Sequence, residues 1–285
     1  MNLRLGLRSH DVSEHSLTHL LAVLKQYGLT NVQFAPFKFL PGDFVNQTNM
    51  LTPGLMTAIQ DKFVAANAHI SVLGCYVNIV DNDVEQRQRN VNSFKDSLAL
   101  ARYVGGPIVA TETGSLSDNG YTEANFTETA YQRVLASVKQ MAYYAEKYGA
   151  IMAIEAGINH PIYNNQIQKR LLDEVDSPNV KIIYDLTNIL TPENLNDQGA
   201  ILAEAEKLFK DDIFEFHIKD FVFDHGEKKT VPFGEGVLDA ERYIKFISKL
   251  KPYSDCILEG LKEDRLEQSL NFINQIDDGS NYQIH

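Results

Sequence analysis

Apolar runs with the composition of β-strands alternate with longer amphipathic segments from one end of this chain to the other. Eight runs are short and apolar, and each is followed by a segment with helical periodicity. Strands that alternate with helices in this way pair in parallel, because each helix returns the chain to the same end of the sheet. The predicted strands are Leu3–Leu7, Val32–Phe34, Ile70–Val77, Ile108–Thr111, Ile151–Glu155, Val180–Asp185, Ile213–His217 and Cys256–Glu259.

Eight helices are predicted to follow these strands, and several of their ends carry recognisable capping residues. Thr52 and Thr191 each precede a proline, which places a hydroxyl N-cap before a first helical residue that needs no N–H donor. Gly28 and Gly149 stand just after helical stretches, where a residue in the left-handed conformation ends a helix. The predicted helices are Glu14–Tyr27, Pro53–Ala68, Val84–Tyr103, Glu123–Tyr148, Gln166–Val175, Pro192–Phe209, Asp239–Leu250 and Arg265–Ile276.

Eight strand–helix pairs favour closure into a (β/α)8 TIM barrel over an open doubly wound α/β sheet. A barrel of this kind takes about 250 residues. We therefore expect one domain over residues 1–285, with a polar C-terminal tail over about 277–285. The first strand is not followed by a Gly-x-Gly-x-x-Gly loop, which argues against a dinucleotide-binding fold.

Four residues that can bind a metal each end a predicted strand in the second half of the chain: Glu155, Asp185, His217 and Glu259. Their separations are 30, 32 and 42 residues (185−155, 217−185, 259−217), and one strand–helix unit of a barrel takes roughly 30 residues. The four side chains should therefore converge at the carboxyl ends of neighbouring strands. Three carboxylates and one imidazole favour one divalent cation, Mn²⁺ first, with Mg²⁺, Co²⁺ or Zn²⁺ also allowed.

The charge and the cysteine content of the chain bound its partners and its location. The net charge is −12 at pH 7, whereas proteins that bind duplex nucleic acid normally carry a basic surface, so we expect no nucleic acid partner. No apolar run approaches the roughly 18 residues of a membrane span, and the N-terminal residues lack the apolar centre of a signal peptide. Cys75 and Cys256 do not make a disulfide framework, and we expect a cytoplasmic protein.

With these motifs in view, the chain resembles the xylose isomerase-like TIM barrels, specifically their sugar phosphate isomerase/epimerase group. The resemblance covers the whole chain by architecture. It is most specific where His217-Ile218-Lys219-Asp220 is followed by Gly234-Glu235-Gly236. The resemblance implies that the four residues above bind one divalent cation, and that Glu155 and Glu259 are also the catalytic acid and base. It implies as well a small-molecule carbohydrate substrate and a homodimer or homotetramer.

The chemistry of such a site agrees with the resemblance. A cation chelated by a carbonyl and an adjacent hydroxyl acidifies the neighbouring C–H and stabilises a metal-bound enediolate. One carboxylate can remove the proton, and a second can return it to the same carbon or to the next one. We therefore expect a metal-dependent isomerase or epimerase of a sugar, a sugar phosphate or a related keto-polyol. An inosose-type dehydratase that uses the same metal site is the alternative.

The chain departs from the sugar epimerases of this group at several positions. Asn188 stands three residues after Asp185, where those epimerases have a histidine, and Phe223 stands where they have an arginine. The endonuclease IV-type members of the superfamily need three metals and extra histidines, including an Asp-x-His just before the Gly-x-Gly, but here Lys228 and Thr230 occupy the positions of that aspartate and histidine. An AP endonuclease-like function is therefore disfavoured. A barrel that binds sugars without turnover is a further alternative.

Five further residues are candidates for contacting the substrate: Asn188, Lys219, His160, Arg8 and Glu112. Asn188 can donate a hydrogen bond to a sugar hydroxyl, and Arg8 can hold an anionic group. His160 lies in the loop after the fifth strand and Glu112 ends the fourth strand. Both positions belong to the rim at which barrel enzymes bind their substrates.

Two motifs leave alternatives open. Lys219 either contacts the substrate or pairs with Asp220 or Glu235. The segment Gly234-Glu235-Gly236 precedes the seventh predicted helix, so its backbone amides either bind a phosphate or form a tight turn.

Overall fold

The computed structural model describes residues 3–41 and 51–277, and its strands confirm the predicted barrel. Eight parallel strands close into a barrel in the order β1-β10-β7-β6-β5-β4-β3-β2, and β8 and β9 form a separate two-stranded sheet. The strands are β1 Arg4–Arg8, β2 Asn31–Phe34, β3 His69–Gly74, β4 Ile108–Glu112, β5 Met152–Glu155, β6 Val180–Tyr184, β7 Ile213–Ile218, β8 Asp220–Asp224, β9 Glu227–Val231 and β10 Asp255–Leu258.

Each barrel strand is followed by one of the eight predicted helices, with shifted ends, and the described part of the chain also contains two single-turn helices, α2 and α7. The α-helices of the described residues are α1 Leu17–Tyr27, α2 Pro36–Phe39, α3 Pro53–Ala65, α4 Val84–Leu100, α5 Glu128–Tyr148, α6 Asn165–Val175, α7 Leu186–Ile189, α8 Gln198–Phe209, α9 Ala240–Leu250 and α10 Leu266–Ile276.

The predicted helix caps are confirmed at three of four positions. The Thr52 hydroxyl accepts a hydrogen bond from the Leu55 amide at 3.2 Å and begins α3. Gly28 and Gly149 adopt left-handed conformations, with φ of 66° and 64°, at the ends of α1 and α5. Since glycine has no Cβ, this conformation costs it little.

The predicted cap at Thr191 is wrong, because α8 begins only at Gln198. The Asn194 side chain accepts a hydrogen bond from the Thr191 amide at 2.7 Å and donates one to the Ile189 carbonyl at 3.1 Å. These two bonds close a turn at the point where the helix was predicted to begin. Asparagine forms such local bonds readily, and they compete with helix formation.

A β-hairpin of β8 and β9 follows the seventh barrel strand, in a region that the sequence analysis left as a loop. The two strands pair antiparallel from Asp220 opposite Val231 to Asp224 opposite Glu227. The two residues between them, His225 and Gly226, both have positive φ, at 50° and 87°. A two-residue turn with positive φ at both positions matches the right-handed twist of the hairpin strands.

The barrel interior has a polar floor below an apolar layer. At the floor, the Ser71 hydroxyl donates a hydrogen bond to the buried carboxylate of Glu215 at 3.0 Å. The apolar layer consists of Val72, Ala110, Ala153 and Ile183. Side chains alternate along each strand, so every second one points toward the barrel axis. The residues between them point outward to the helices and belong to the main hydrophobic core.

The C-terminal end of the described chain packs against its beginning. Asp277 is buried and accepts a hydrogen bond from the Leu3 amide at 3.0 Å, and the remainder of the predicted tail, 278–285, lies outside the described residues. Cys75 and Cys256 are both buried free thiols. Among the residues described, no helix is long and apolar enough to cross a membrane.

Candidate metal centre

Four side chains from neighbouring strands meet at the carboxyl end of the barrel. Glu155 ends β5, Asp185 directly follows β6, His217 lies near the end of β7, and Glu259 directly follows β10. These four strands are consecutive neighbours in the closed sheet. One ligand atom of each residue lies within 4.8 Å of the corresponding atoms of the other three. We call Glu155, Asp185, His217 and Glu259 the quartet.

The two glutamates of the quartet approach the same nitrogen of the histidine. His217 Nδ1 lies 3.0 Å from Glu155 Oε1 and 2.8 Å from Glu259 Oε2. The opposite nitrogen, Nε2, faces away from the quartet and lies 2.7 Å from Gln33 Oε1. His217 and Glu155 are both almost completely buried. Nδ1 is therefore the histidine atom that faces the other three ligands.

Asp185 is oriented by the short helix that it begins. Its Oδ1 accepts a hydrogen bond from the Asn188 amide at 3.2 Å, which makes Asp185 the N-cap of α7. Its Oδ2 is buried, and the Lys219 ammonium, 2.9 Å away, is the charged group that faces it. A buried carboxylate needs a positive partner of this kind, and a bound cation would be another.

Two cationic side chains hold the outer oxygen of Glu259. Arg8 Nη1 lies 2.8 Å from Glu259 Oε1, and Lys219 Nζ lies 3.0 Å from the same atom. Arg8 also donates two hydrogen bonds, each of 2.8 Å, to the carboxylate of Asp11. Oε1 of Glu259 is thereby engaged, and Oε2 is the oxygen that faces the quartet.

The surroundings of the two glutamates push their pKa values apart. Burial raises the pKa of Glu155 to about 7, against the opposing effect of His217. Burial also acts to raise the pKa of Glu259, but Lys219, His217 and Arg8 outweigh it and hold that pKa well below its ordinary value. Environments that separate two carboxyl groups in this way are typical of acid–base pairs.

The donor set fits a divalent cation. Three carboxylates and one imidazole nitrogen form an oxygen-rich set, with one ligand atom of each within 4.8 Å of the others. Hard divalent cations prefer such ligands, while imidazole is also suited to transition metals. The quartet could therefore hold a metal ion at the barrel mouth.

A cavity of about 1000 Å³ opens beside the quartet. Glu112 and Asn188 line it, and Asn188 Nδ2 donates a hydrogen bond to Glu155 Oε1 at 2.6 Å. Among the residues described, Lys228 is the one lysine or arginine in its wall. Five asparagines and four aromatic residues also line it: Asn119, Asn159, Asn164, Asn188 and Asn194, with Tyr121, Phe126, Tyr163 and Phe223.

A model of the family described as xylose isomerase-like TIM barrel matches residues 2–276 of this sequence. The chain belongs to this family. A comparison with curated protein sequences finds no match. The assignment to this family therefore rests on a match over nearly the whole chain. The match confirms the resemblance that was predicted from the motifs between His217 and Gly236.

Solved structures agree with the xylose isomerase-like fold. A D-tagatose 3-epimerase-like protein superposes with a TM-score of 0.76 at 14% identity, covering 98% of each chain. An IolI protein with a bound zinc atom gives 0.71 at 15% identity, covering 98% of this chain and 96% of that one. A probable 3-DHS dehydratase from Bacillus anthracis gives 0.70 at 16%, covering 94% and 97%. At these identities the likeness shows the fold alone.

Three of the five candidate substrate residues lie at the rim of this xylose isomerase-like barrel beside the quartet. Glu112 is the register partner of Glu155 on the adjacent strand, so the two side chains face the same way. His160 Nε2 lies 3.4 Å from Glu112 Oε1, and His160 Nδ1 lies 2.8 Å from the Gly114 carbonyl. Glu112, His160 and Asn188 all line the cavity, and contact of each with a substrate stays a prediction.

The other two candidates, Arg8 and Lys219, contact the quartet directly through Glu259. The predicted pairing of Lys219 with Asp220 or Glu235 is wrong. Its ammonium contacts Asp185 and Glu259 instead, because the strand ends of β6 and β10 flank β7 in the closed barrel. Substrate contact by Arg8 and Lys219 stays a prediction.

The side chain of Asp220 links the His217–Asp220 motif to the glycine loop Gly234-Glu235-Gly236. Its Oδ2 accepts hydrogen bonds from the amides of Gly234 at 3.0 Å and Gly236 at 2.9 Å, and its Oδ1 accepts one from Leu238 at 3.1 Å. The glycine loop is therefore a turn closed around an internal carboxylate. Its amides are not available to a phosphate while Asp220 holds them.

Gln33 is a residue of the site that the sequence analysis missed. It lies on β2, is almost completely buried, and contacts His217 across 184 positions of the sequence. A polar residue inside an apolar strand was the available signal. Lys228 and Thr230, at the positions matched to the Asp-x-His of the endonuclease IV-type members, lie on β9 of the hairpin.

Proposed function

We propose that this protein is a divalent-metal-dependent isomerase or epimerase of an unphosphorylated sugar or a related keto-polyol. One observation carries the proposal: Glu155 and Glu259 stand at the ends of β5 and β10, the outer two of the four neighbouring strands, and both approach His217 Nδ1, at 3.0 Å and 2.8 Å. Two carboxylates placed on two sides of one metal position are what proton removal and return beside a carbonyl require.

The quartet would hold the cation, with Mn²⁺ as the proposed ion because of the oxygen-rich donor set. When bound, such a cation supplies Lewis-acid polarisation of a substrate carbonyl. Lys219 and Arg8 add two fixed positive charges next to Glu259. Fixed charges at a buried site stabilise negative charge that develops on a substrate oxygen, since they need no reorganisation during the reaction.

The surroundings of the two glutamates suit two different roles in proton transfer. Lys219, His217 and Arg8 hold the pKa of Glu259 well below its ordinary value, so Glu259 would accept the proton of the C–H beside the carbonyl. Burial raises the pKa of Glu155, so Glu155 would be the group that returns a proton to carbon. Return to the same carbon from its other face inverts that carbon, and return to the adjacent carbon exchanges aldose and ketose.

The surroundings of the quartet favour an uncharged substrate. The guanidinium of Arg8 is engaged by Glu259 and Asp11, and the glycine-loop amides are engaged by Asp220. Neither of the two phosphate-binding candidates is thus free to hold a phosphate. Aromatic faces and amide groups along the cavity suit hydroxyl groups and the apolar faces of a sugar ring.

The proposal is tested by metal content and by proton exchange. After Mn²⁺ loading and desalting, inductively coupled plasma mass spectrometry should give about one equivalent per chain. Ketoses incubated with the loaded protein in D₂O should then gain deuterium beside the carbonyl. One equivalent without exchange in any ketose would indicate a sugar-binding barrel. About three equivalents would favour the nuclease alternative, and none would contradict the metal site.

Substitution of either quartet glutamate should abolish the exchange while the barrel persists. In Glu155→Gln and Glu259→Gln the amide cannot take up the proton, so deuterium incorporation should fall by roughly 100-fold or more. Glu215→Gln is the matched control, because Glu215 is a buried glutamate at the floor of the same barrel. Exchange at the wild-type rate in the two quartet variants would contradict the assignment.

A dehydratase is the second candidate, and the contact between His160 and Glu112 favours it. Burial acts to lower the pKa of His160, but Glu112 and the Gly114 carbonyl outweigh it and raise that pKa. A protonated His160 facing the cavity could donate its proton to a hydroxyl that leaves as water, after Glu259 has removed the α-proton. Loss of water from inososes, followed as ultraviolet absorbance of the unsaturated ketone, separates this reaction from epimerisation.

We also propose the carbohydrate as the small-molecule partner and a homodimer or homotetramer as the assembly, with no nucleic acid partner. The net charge of −12 supports the exclusion of nucleic acid, because the phosphate backbone repels such a protein. The assembly is tested by multi-angle light scattering, in which a mass of 32.1 kDa would contradict it.

A further inference from the structure

The side chain of Gln33 links β2 to the histidine of the quartet. Gln33 and His217 are each about 1% exposed, and Gln33 Oε1 lies 2.7 Å from His217 Nε2. Gln33 Nε2 in turn lies 2.6 Å from the hydroxyl oxygen of Tyr76. A buried chain of three polar groups therefore runs from Tyr76 to the back of the His217 ring.

The two nitrogens of His217 have different neighbours, and this difference decides which of them a metal can take. Nδ1 lies within hydrogen-bond distance of the Glu155 and Glu259 carboxylates and donates its hydrogen to them when no metal is bound, whereas Nε2 faces the amide oxygen of Gln33. A carbonyl oxygen accepts hydrogen bonds and cannot donate them, so Nε2 must carry a hydrogen. A histidine that binds a metal does so through a nitrogen without a hydrogen, which leaves Nδ1 for the cation.

Tyr76 engages the other end of the Gln33 amide. Its hydroxyl oxygen accepts the hydrogen bond of Gln33 Nε2 at 2.6 Å, while Gln33 Oε1 faces His217. The reversed amide would point its NH₂ group at His217 Nε2, which would then accept that bond and carry no hydrogen, so the ring would have to keep its hydrogen on Nδ1, where the cation must bind.

We propose that Gln33 is a positioning residue that keeps a hydrogen of His217 on Nε2, so that Nδ1 is the nitrogen that exchanges its hydrogen for the metal. The inference rests on the proposed metal centre. It adds a residue from the opposite half of the sequence to that centre. Partners of this kind fix both the tautomer and the ring orientation of a metal-binding histidine, and their loss typically weakens metal binding by roughly 10- to 100-fold.

The test combines a spectroscopic readout with metal affinity. Zn²⁺ is the probe, because it is diamagnetic and suits nuclear magnetic resonance. In protein labelled with ¹⁵N-histidine, the Zn²⁺-loaded wild type should show the His217 hydrogen on Nε2 and the metal on Nδ1, with the signals assigned by their loss in His217→Asn. In Gln33→Leu the protected Nε2–H signal should disappear, and the Zn²⁺ affinity, measured by chelator competition, should fall roughly 10- to 100-fold.

Two further variants separate positioning from a structural effect. Gln33→Glu keeps an acceptor oxygen opposite Nε2, so it should retain the Nε2–H signal and bind Zn²⁺ at least as tightly as the wild type. Tyr76→Phe removes only the hydroxyl that accepts the hydrogen bond of the Gln33 amide. We expect its Zn²⁺ affinity to fall by a smaller factor, about 2- to 10-fold. The matched control is Gln168→Leu, which removes another buried glutamine, bonded to the Ile154 carbonyl, and should leave Zn²⁺ affinity unchanged.

Three results would overturn the inference. They are wild-type Zn²⁺ affinity in a folded Gln33→Leu, an equal loss of affinity in Gln33→Glu and Gln33→Leu, and a Zn²⁺-loaded wild type with the hydrogen on Nδ1. Failure of the metal centre itself is distinguishable, because the wild type would then bind no Zn²⁺. In that case the loss of the protected Nε2–H between metal-free wild type and Gln33→Leu still decides whether Gln33 holds the ring hydrogen.

Discussion

Lys219 is the residue whose charge matters most to the quartet. Its ammonium lies 2.9 Å from Asp185 Oδ2 and 3.0 Å from Glu259 Oε1, both atoms of proposed metal ligands. Burial acts to lower the pKa of Lys219, but Asp185 and Glu259 outweigh it and raise that pKa, so the side chain is charged at neutral pH. A fixed positive charge at this distance would repel a divalent cation, and it already pairs with Asp185 Oδ2, an oxygen that the cation could otherwise use.

We therefore expect Lys219→Met to bind Mn²⁺ more tightly than the wild type, by about tenfold or more. Titration followed by electron paramagnetic resonance of free Mn²⁺ measures the change. Lys181→Met is the matched control, since Lys181 pairs with Asp212 at 2.7 Å at the other end of the barrel. Weaker Mn²⁺ binding in Lys219→Met would mean that Lys219 orients the ligands instead of competing with the cation.

The buried carboxyl group of Glu215 should make the free energy of unfolding depend on pH. Burial, with a smaller effect of Asp255, raises its pKa from 4.5 to about 8 in the folded protein. Between these two pH values the folded state holds one proton more than the unfolded state. The free energy of unfolding should therefore fall as pH rises from 4.5 to 8, by at most about 1.4 kcal/mol per pH unit from this group.

In Glu215→Gln this contribution is absent, so the variant should show a shallower decline and should be more stable than the wild type near pH 8. Urea unfolding at pH 5, 6.5 and 8 measures both slopes. Equal slopes in the two proteins would contradict the raised pKa of Glu215.

At the scale of elements, the loop between the hairpin and α9 is shaped by one glycine. A Cβ on Gly236 would lie 2.1 Å from Asp220 Oδ1 and 2.3 Å from the Phe221 carbonyl oxygen. Glycine at this position allows the loop to close around Asp220, and the hydrogen bonds from Gly234, Gly236 and Leu238 then hold it.

Gly236→Ala should lower the free energy of unfolding by roughly 1–3 kcal/mol, because the backbone of the loop must move to relieve the contact. Thermal unfolding followed by circular dichroism measures the loss. Gly54→Ala on α3 is the control, since the nearest atom to its Cβ would be 4.0 Å away, and it should be neutral or slightly stabilising. A Gly236→Ala protein as stable as Gly54→Ala would contradict the tight approach.

At the scale of the whole molecule, the quartet joins four adjacent strands of the closed barrel. A cation bound there should stabilise the folded state as a whole, because the unfolded chain does not bring residues 155 and 259 together. At a metal concentration of 100 times Kd the stabilisation is about 2.7 kcal/mol, which corresponds to a rise in Tm on the order of 5 °C.

Differential scanning calorimetry in Mn²⁺ and in excess chelator checks this rise. Asp185→Asn, which removes one carboxylate of the quartet, should show a much smaller increase. An equal rise in the variant would place the stabilising ion elsewhere on the protein.

Features that depend on local sequence were predicted correctly. The alternation of strands and helices indicated the barrel, because the periods of the two elements can be recognised within a few residues. The quartet followed from the same pattern, since a residue at the carboxyl end of a parallel strand necessarily lies at the barrel mouth. Gly28 and Gly149 were also predicted correctly, because the end of a helix at a left-handed glycine depends only on the few residues before it.

The sequence analysis missed or wrongly predicted the features that depend on contacts between residues far apart in the sequence. Three contacts join elements that become neighbours only in the closed sheet. They are the contact of Lys219 with Asp185, the hydrogen bonds of the glycine-loop amides to Asp220, and the contact of Gln33 with His217. The sequence alone determined that four ligands would stand at one end of a barrel, because strand parity and spacing decide that. Only the tertiary structure decided which oxygens and nitrogens face the metal position, because closure of the barrel and the reach of each side chain set those contacts.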